Sequence, residues 1–162
     1  MRYEIREVSE SEIPECAGLV RAAFADVAAR FGLTVENCPA NAAFLRDADL
    51  EKDRRAGVGM FSLYDSGARA GFVALRRKHA EVFYLEKLAV LPEYRRSGHG
   101  GRLALAAERR AVELGGRLLS IGIINANFAL KEWYVKRGFI ANELREFAHL
   151  PFTVCILEKR PF

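Results

Sequence analysis

Hydrophobic and polar positions along this chain recur with two periods, and the switches between them mark out its elements. Residues 3–8 alternate with period two, as a half-buried strand does, and Ser9 and Ser11 are N-cap candidates for an amphipathic helix running through Phe24. Asn37-Cys38-Pro39-Ala40-Asn41 interrupts any helix, while residues 42–53 suit a short one. Residues 57–64 and 71–77 flank Asp65-Ser66-Gly67, which predicts a hairpin. Residues 81–90 form the next strand. Pro92 and a glycine-bearing turn then lead into a helix over 102–114, which Gly115-Gly116 ends by allowing a left-handed C-cap. Residues 118–124 are nearly all apolar, as in a strand buried on both faces. Asn127 caps a short helix over 128–136 that Gly138 ends, and residues 143–147 and 153–158 close the chain as strands.

The order β-α-(α)-β-β-β-α-β-α-β-β predicts an α/β (mixed α+β) layer, a central mixed sheet of about six to seven strands with helices on both faces. Strands 81–90 and 118–124, joined by a crossover helix, run parallel and bring their C-terminal ends beside the glycine turn. At 162 residues the chain reads as one domain, 1–162, without internal repeats.

Composition narrows the class further. Hydrophobic residues at 51% against 28% charged describe an ordinary soluble protein, and no stretch approaches the roughly 18 apolar residues of a membrane span. The N-terminal residues lack the apolar run of a signal peptide, and three cysteines without metal-like spacing fit a reducing cytoplasm and no metal. Cys16, Cys38 and Cys155 read as small buried hydrophobes. A net charge of +4, with acidic residues between the arginines, predicts neither a nucleic-acid nor a membrane partner.

The segment Arg95-Arg96-Ser97-Gly98-His99-Gly100 lies between a strand and a helix N-terminus. Such a turn directs consecutive N–H groups toward one point where the helix dipole also favours an anion, and two arginines at its entrance add charge. Its glycines let a ligand approach the backbone closely. The reading is a pyrophosphate cradle. The spacing matches neither a Rossmann nor a P-loop signature, and a glycine turn between strand and helix also occurs without a ligand.

Residues 85–100, from Leu85-Glu86-Lys87-Leu88-Ala89-Val90 through this turn, resemble the acetyl-CoA signature of the GCN5-related N-acetyltransferase (GNAT) superfamily, Gln/Arg-x-x-Gly-x-Gly/Ala, filled here by Arg95, Gly98 and Gly100. Residues 127–139 resemble its second cofactor segment, Asn-x-x-Ala-x-x-x-Tyr followed by Gly-Phe, through Asn127, Tyr134, Gly138 and Phe139, with Leu130 in place of alanine. The resemblance implies a GNAT-like acyl-CoA N-acyltransferase fold and an acetyl-CoA-dependent enzyme that acetylates a primary amine of a small-molecule or peptide acceptor by direct transfer in a ternary complex. The implied cofactor contacts are Leu88, Ala89, Val90, Arg95, Arg96, Ser97, Gly98, His99, Gly100, Gly101, Arg102, Asn127 and Tyr134.

Acetyl transfer needs a polarised thioester carbonyl, a proton for the departing thiolate and a neutral amine. The resemblance implies the Val90 N–H for the first, where the family's strand splays, and Tyr134 for the second, through its place in the matching motif. Glu86 suits the third as base, since two-residue spacing places it on the strand face of Leu88 and Val90, with Glu81 or a water relay as competitors. A bulge near Leu88 would alter that parity. His99 is expected to matter through its backbone, Trp133 reads as core, and Lys136 and Arg137 could reach phosphates. Acceptor choice is expected from residues 24–55 and 143–152. Asn37 and Cys38 are cleft-lining candidates. The apolar strand 153–157 could support a homodimer. A non-catalytic acyl-CoA-binding regulatory module is the alternative, needing the turn but neither acid nor base.

Overall fold

The computed structural model describes residues 2–161. Its strands are β1 (Tyr3–Glu7), β2 (Gly59–Asp65), β3 (Ala68–His79), β4 (Val82–Val90), β5 (Leu118–Ile124), β6 (Ile140–Glu146) and β7 (Thr153–Lys159). They form one sheet in the order β1-β2-β3-β4-β5-β7-β6. Every neighbouring pair is antiparallel except β4 and β5. The helices are α1 (Ile13–Arg30), α2 (Asp47–Arg55), α3 (His99–Glu113) and α4 (Phe128–Val135). Among the described residues, no helix is long and apolar enough to cross a membrane.

Strand alternation sorts the core onto two faces. Met60, Phe72, Ala74 and Ala89 point toward α1 and α2, where Ile13, Cys16, Ala17, Val20 and Leu50 meet them. Phe61, Leu63, Val73, Leu75, Phe83 and Leu85 point the other way, toward Leu103, Ala107 and Ala111 of α3 and Tyr134 of α4. Each large side chain buried here contributes about 1.5–3 kcal/mol. The buried residues of α3 recur every three or four positions, and most are alanine, which lets the helix lie close to the sheet. Gly71 permits a close approach, because a Cβ there would stand 2.7 Å from Leu103 Cδ1 and 3.0 Å from the Ala89 carbonyl.

Several boundaries differ from the sequence reading. Helix α1 extends to Arg30, beyond Phe24, and begins after a single 3-10 turn at Glu10–Glu12 closed by a Ser9–Glu12 capping box. The expected helix over 42–53 is instead a 3-10 turn at Ala42–Phe44 followed by α2. Helix α3 starts three residues early, taking Gly100 and Gly101 into its first turn; packing against α4 outweighs their poor helix propensity. The strand expected to support a homodimer is β7, which pairs on both sides and buries Val154, Cys155 and Leu157 in the chain's own core. All three cysteines are buried and free.

Candidate active site

Strands β4 and β5 pair over only three residues each, from Val82–Leu118 to Tyr84–Ser120, and then separate. The backbone of β4 beyond Tyr84 therefore lacks a neighbour on that side. Leu91 N–H bonds the Ala70 carbonyl, so the adjacent pair Gly71–Val90 is of the non-hydrogen-bonded kind. Val90 consequently turns its N–H and C=O away from β3, into the gap left by β5.

A bulge lies at the same place. Phe72 faces Ala89 and Ala74 faces Glu86, so one residue of β3 opposes Lys87 and Leu88 together, and Lys87 takes a left-handed conformation with φ 51°. The extra residue reverses the parity. Leu85, Leu88 and Val90 all join the cluster of α3 and α4. Glu86 is on the opposite face, contrary to the two-residue spacing rule. There its carboxylate receives Arg76 Nε at 3.0 and 3.2 Å, Lys87 Nζ lies 3.6 Å away, and Asp53 of α2 completes the group through Arg76 at 2.9 Å. Glu81, the other base candidate, sits just before the far end of β4 and pairs with Arg117.

Above the gap, the loop after β4 is built to present donors. Arg96 and Gly98 are both left-handed, with φ 65° and 85°. Gly98 serves as the N-cap of α3 without any side chain capping the helix. Among the described residues, no acceptor meets the N–H groups of residues 96–101. Side chains take up carbonyls of the same loop: Ser97 Oγ donates to Tyr94 O at 2.6 Å and Arg102 Nη1 to Ser97 O at 2.9 Å. The carbonyls of Tyr94, Ser97 and Gly98 are met while the donors are left open, which suits an anion with several oxygens. The fit to a pyrophosphate rests on this asymmetry.

Arg95 has another role than the one expected. Its guanidinium turns inward, donating to Val90 O at 3.0 Å, to Ala23 O at 2.7 Å and to Asp26 at 2.8 Å, so it ties the loop to β4 and α1. The hydrogen bond from Arg95 holds the Asp26 carboxyl below its usual range. Arg95 thus braces the loop, and its charge is matched by Asp26. Gly100 and Gly101 likewise face a helix, since a Cβ on Gly100 would lie 3.2 Å from Trp133 and one on Gly101 3.0 Å from Arg137. Arg137 stacks 3.6 Å over the Trp133 ring. His99 is no surface residue: its ring is wholly buried and lies 2.7 Å from Asp65.

Helix α4 brings two motif residues to the gap. Asn127 is buried and accepts the Leu130 N–H at 3.4 Å, so it is the N-cap. Tyr134 is 3% exposed and packs edge-on against Trp133 and Phe139, with ring centroids 4.9 and 5.3 Å away. It shares one cluster with Leu88 and Val90. Burial raises its phenol above the ordinary value, and among the described residues its hydroxyl has no hydrogen-bond partner. Ala89 turns its side chain to α1 instead, so only its backbone can contribute here. Cys38 is buried in a third cluster with Phe31, Phe44, Leu150, Phe152 and Ile124, which joins the two segments expected to choose the acceptor.

The gap between the parallel strands, the donor-rich loop at its rim and Tyr134, in one cluster with Leu88 and Val90, form an arrangement that suits the transfer of an acyl group. The family model of the Acetyltransferase (GNAT) family matches residues 22–139, and the chain belongs to that family of acetyl-CoA-dependent N-acetyltransferases. No curated protein matches its sequence. Solved structures share the fold. PaiA N-acetyltransferase from Thermoplasma acidophilum, in complex with coenzyme A, superposes with a TM-score of 0.81 at 19% identity over 99% of both chains. The ribosomal-protein-S18-alanine N-acetyltransferase from Escherichia coli gives 0.78 at 16% identity over 98% of this chain and 94% of its own. YncA, a putative acetyltransferase from Salmonella typhimurium with acetyl-CoA, gives 0.72 at 14% identity over 100% and 95%.

Proposed function

We propose that this protein transfers the acetyl group of acetyl-CoA to a primary amine of a small-molecule or peptide acceptor, directly and within a ternary complex. The observation that carries this reading is the conjunction of three features: donors on residues 96–101 that are unmet among the described residues, the outward N–H of Val90, and, in one cluster with Val90, a Tyr134 hydroxyl without a partner among those residues. Acetyl-CoA supplies the activated acyl group as a thioester. The loop N–H groups hold its pyrophosphate, and the Val90 N–H donates to the thioester oxygen where negative charge develops. Tyr134, which burial keeps protonated, donates to the departing sulfur. Glu86 is proposed to accept the amine proton. It faces away from Val90 with both oxygens engaged by Arg76, so a proton reaches it only through water in the gap beside β4.

Calorimetric titration with acetyl-CoA tests the donor, and release of free thiol with a panel of small amines and N-terminal peptides tests the transfer. Saturable binding with amine-dependent thiol release is expected. Binding without thiol release for any acceptor would favour the regulatory module, and no binding would refute the site.

A further inference from the structure

Buried in the first turn of α3, His99 has both ring nitrogens engaged, one by Asp65 outside the recognised motifs and one by Arg102. Its Nε2 lies 2.7 Å from Asp65 Oδ2 at the end of β2, and its Nδ1 lies 3.1 Å from Arg102 Nη1. A guanidinium can only donate, so Nδ1 accepts and is unprotonated; the ring proton resides on Nε2 and is donated to Asp65. Carboxylate and guanidinium thereby select the same tautomer. Asp65 is itself positioned, its other oxygen accepting Ser66 Oγ at 3.1 Å.

The same Arg102 nitrogen donates to Ser97 O, and the guanidinium stacks 4.3 Å over the Tyr3 ring. Because a peptide unit is planar and trans, its C=O and the following N–H point in opposite directions. Holding the Ser97 carbonyl against Arg102 therefore turns the Gly98 N–H the other way, into the row of open donors. The series Asp65, His99, Arg102 and Ser97 O links the β2–β3 turn to the orientation of one cradle amide.

We infer that Asp65 is a positioning residue for the cofactor loop, acting through His99 and Arg102 on the Ser97–Gly98 peptide. It touches no cofactor itself. The inference rests on the acetyl-CoA reading above, and its failure is separable from failure of that reading. Removing the carboxylate leaves the Nε2–H without its acceptor and the ring free to turn, which withdraws Nδ1 from Arg102 and loosens the guanidinium that holds the Ser97 carbonyl.

The test compares wild type, Asp65→Ala and Asp65→Asn by calorimetric titration with coenzyme A, by steady-state kinetics and by nitrogen NMR of the His99 ring. Asn keeps an acceptor for Nε2–H and so serves as the conservative rescue. Expected are an Nε2–H tautomer in wild type, an approximately tenfold weaker Kd and higher KM for acetyl-CoA in Asp65→Ala, and kcat at saturation held within about twofold. Asp65→Asn should fall between. Wild type that does not bind coenzyme A would overturn the cofactor reading and the inference with it. Wild type that binds while both folded variants bind equally well, or variants that lose only thermal stability, would overturn the inference alone.

Discussion

Replacing Tyr134 by phenylalanine separates chemistry from packing at this site more cleanly than any other single change. The ring is buried between Trp133 and Phe139, and phenylalanine reproduces both edge-on contacts. Only the hydroxyl is lost, and it has no hydrogen-bond partner among the described residues. No protein hydrogen bond is broken, so the stability change should lie within about 1 kcal/mol of zero, on either side. The chemical step should suffer far more, because a positioned acid is worth about a hundredfold or more in rate, or roughly 2.7 kcal/mol of barrier. The assay is thiol release at saturating acetyl-CoA and acceptor, with urea unfolding of the same preparation. The expected result is a hundredfold fall in kcat, an unchanged KM for acetyl-CoA and unchanged unfolding. Full turnover combined with a clear loss of stability would mean that the hydroxyl serves packing, and Tyr134 would leave the mechanism.

Further tests address the loop, the base and the fold. Arg95→Ala removes the ties to Val90 O, Ala23 O and Asp26, and should raise the KM for acetyl-CoA by about tenfold; an unaffected KM would show that the loop holds its shape unaided. Glu86→Gln should cut kcat about tenfold or more with little change in KM, and a variant of normal kcat would leave the amine proton to water. Gly71→Ala forces a Cβ against Leu103 and the Ala89 carbonyl, so chemical denaturation should show a loss of about 1–3 kcal/mol. Glu12 accepts from Ser9 N–H at 2.9 Å, its largest stabilisation as an anion, and from Tyr64 at 2.8 Å, which lower its pKa from 4.5 to about 2. A lowered folded-state pKa gives stability that is full above pH 4.5 and lost as pH falls toward 2. Glu12→Gln should therefore cost about 1–2 kcal/mol at pH 7 and progressively less as the pH is lowered through that window, measured by urea unfolding.

Local pattern was sufficient for most elements and for both motif segments. The hairpin around Asp65-Ser66-Gly67, the parallel pair β4 and β5, and the N-cap at Asn127 follow from turn chemistry, from the crossover rule and from side-chain capping, all of which act over a few residues. The roles of Arg95, His99 and Glu86 were not legible in the same way. Arg95 meets Asp26 across 69 positions, and His99 meets Asp65 across 34. Nothing in a local window distinguishes an arginine that faces an anion from one that braces the loop from behind.

The sequence by itself determined most elements and the turn before α3, because glycines, a capping asparagine and alternating apolar positions impose conformations on their own neighbourhood. Only the tertiary structure decided which way their residues face. One extra residue at Lys87 reverses the sides of β4 and puts Glu86 behind the sheet from Val90, and the bulge becomes visible only when β3 is laid alongside. Helix α3 likewise takes in Gly100 and Gly101 because Trp133 of α4 and Arg137 just beyond it pack on them. Register and close approach are properties of pairs of segments, and neither segment carries them alone.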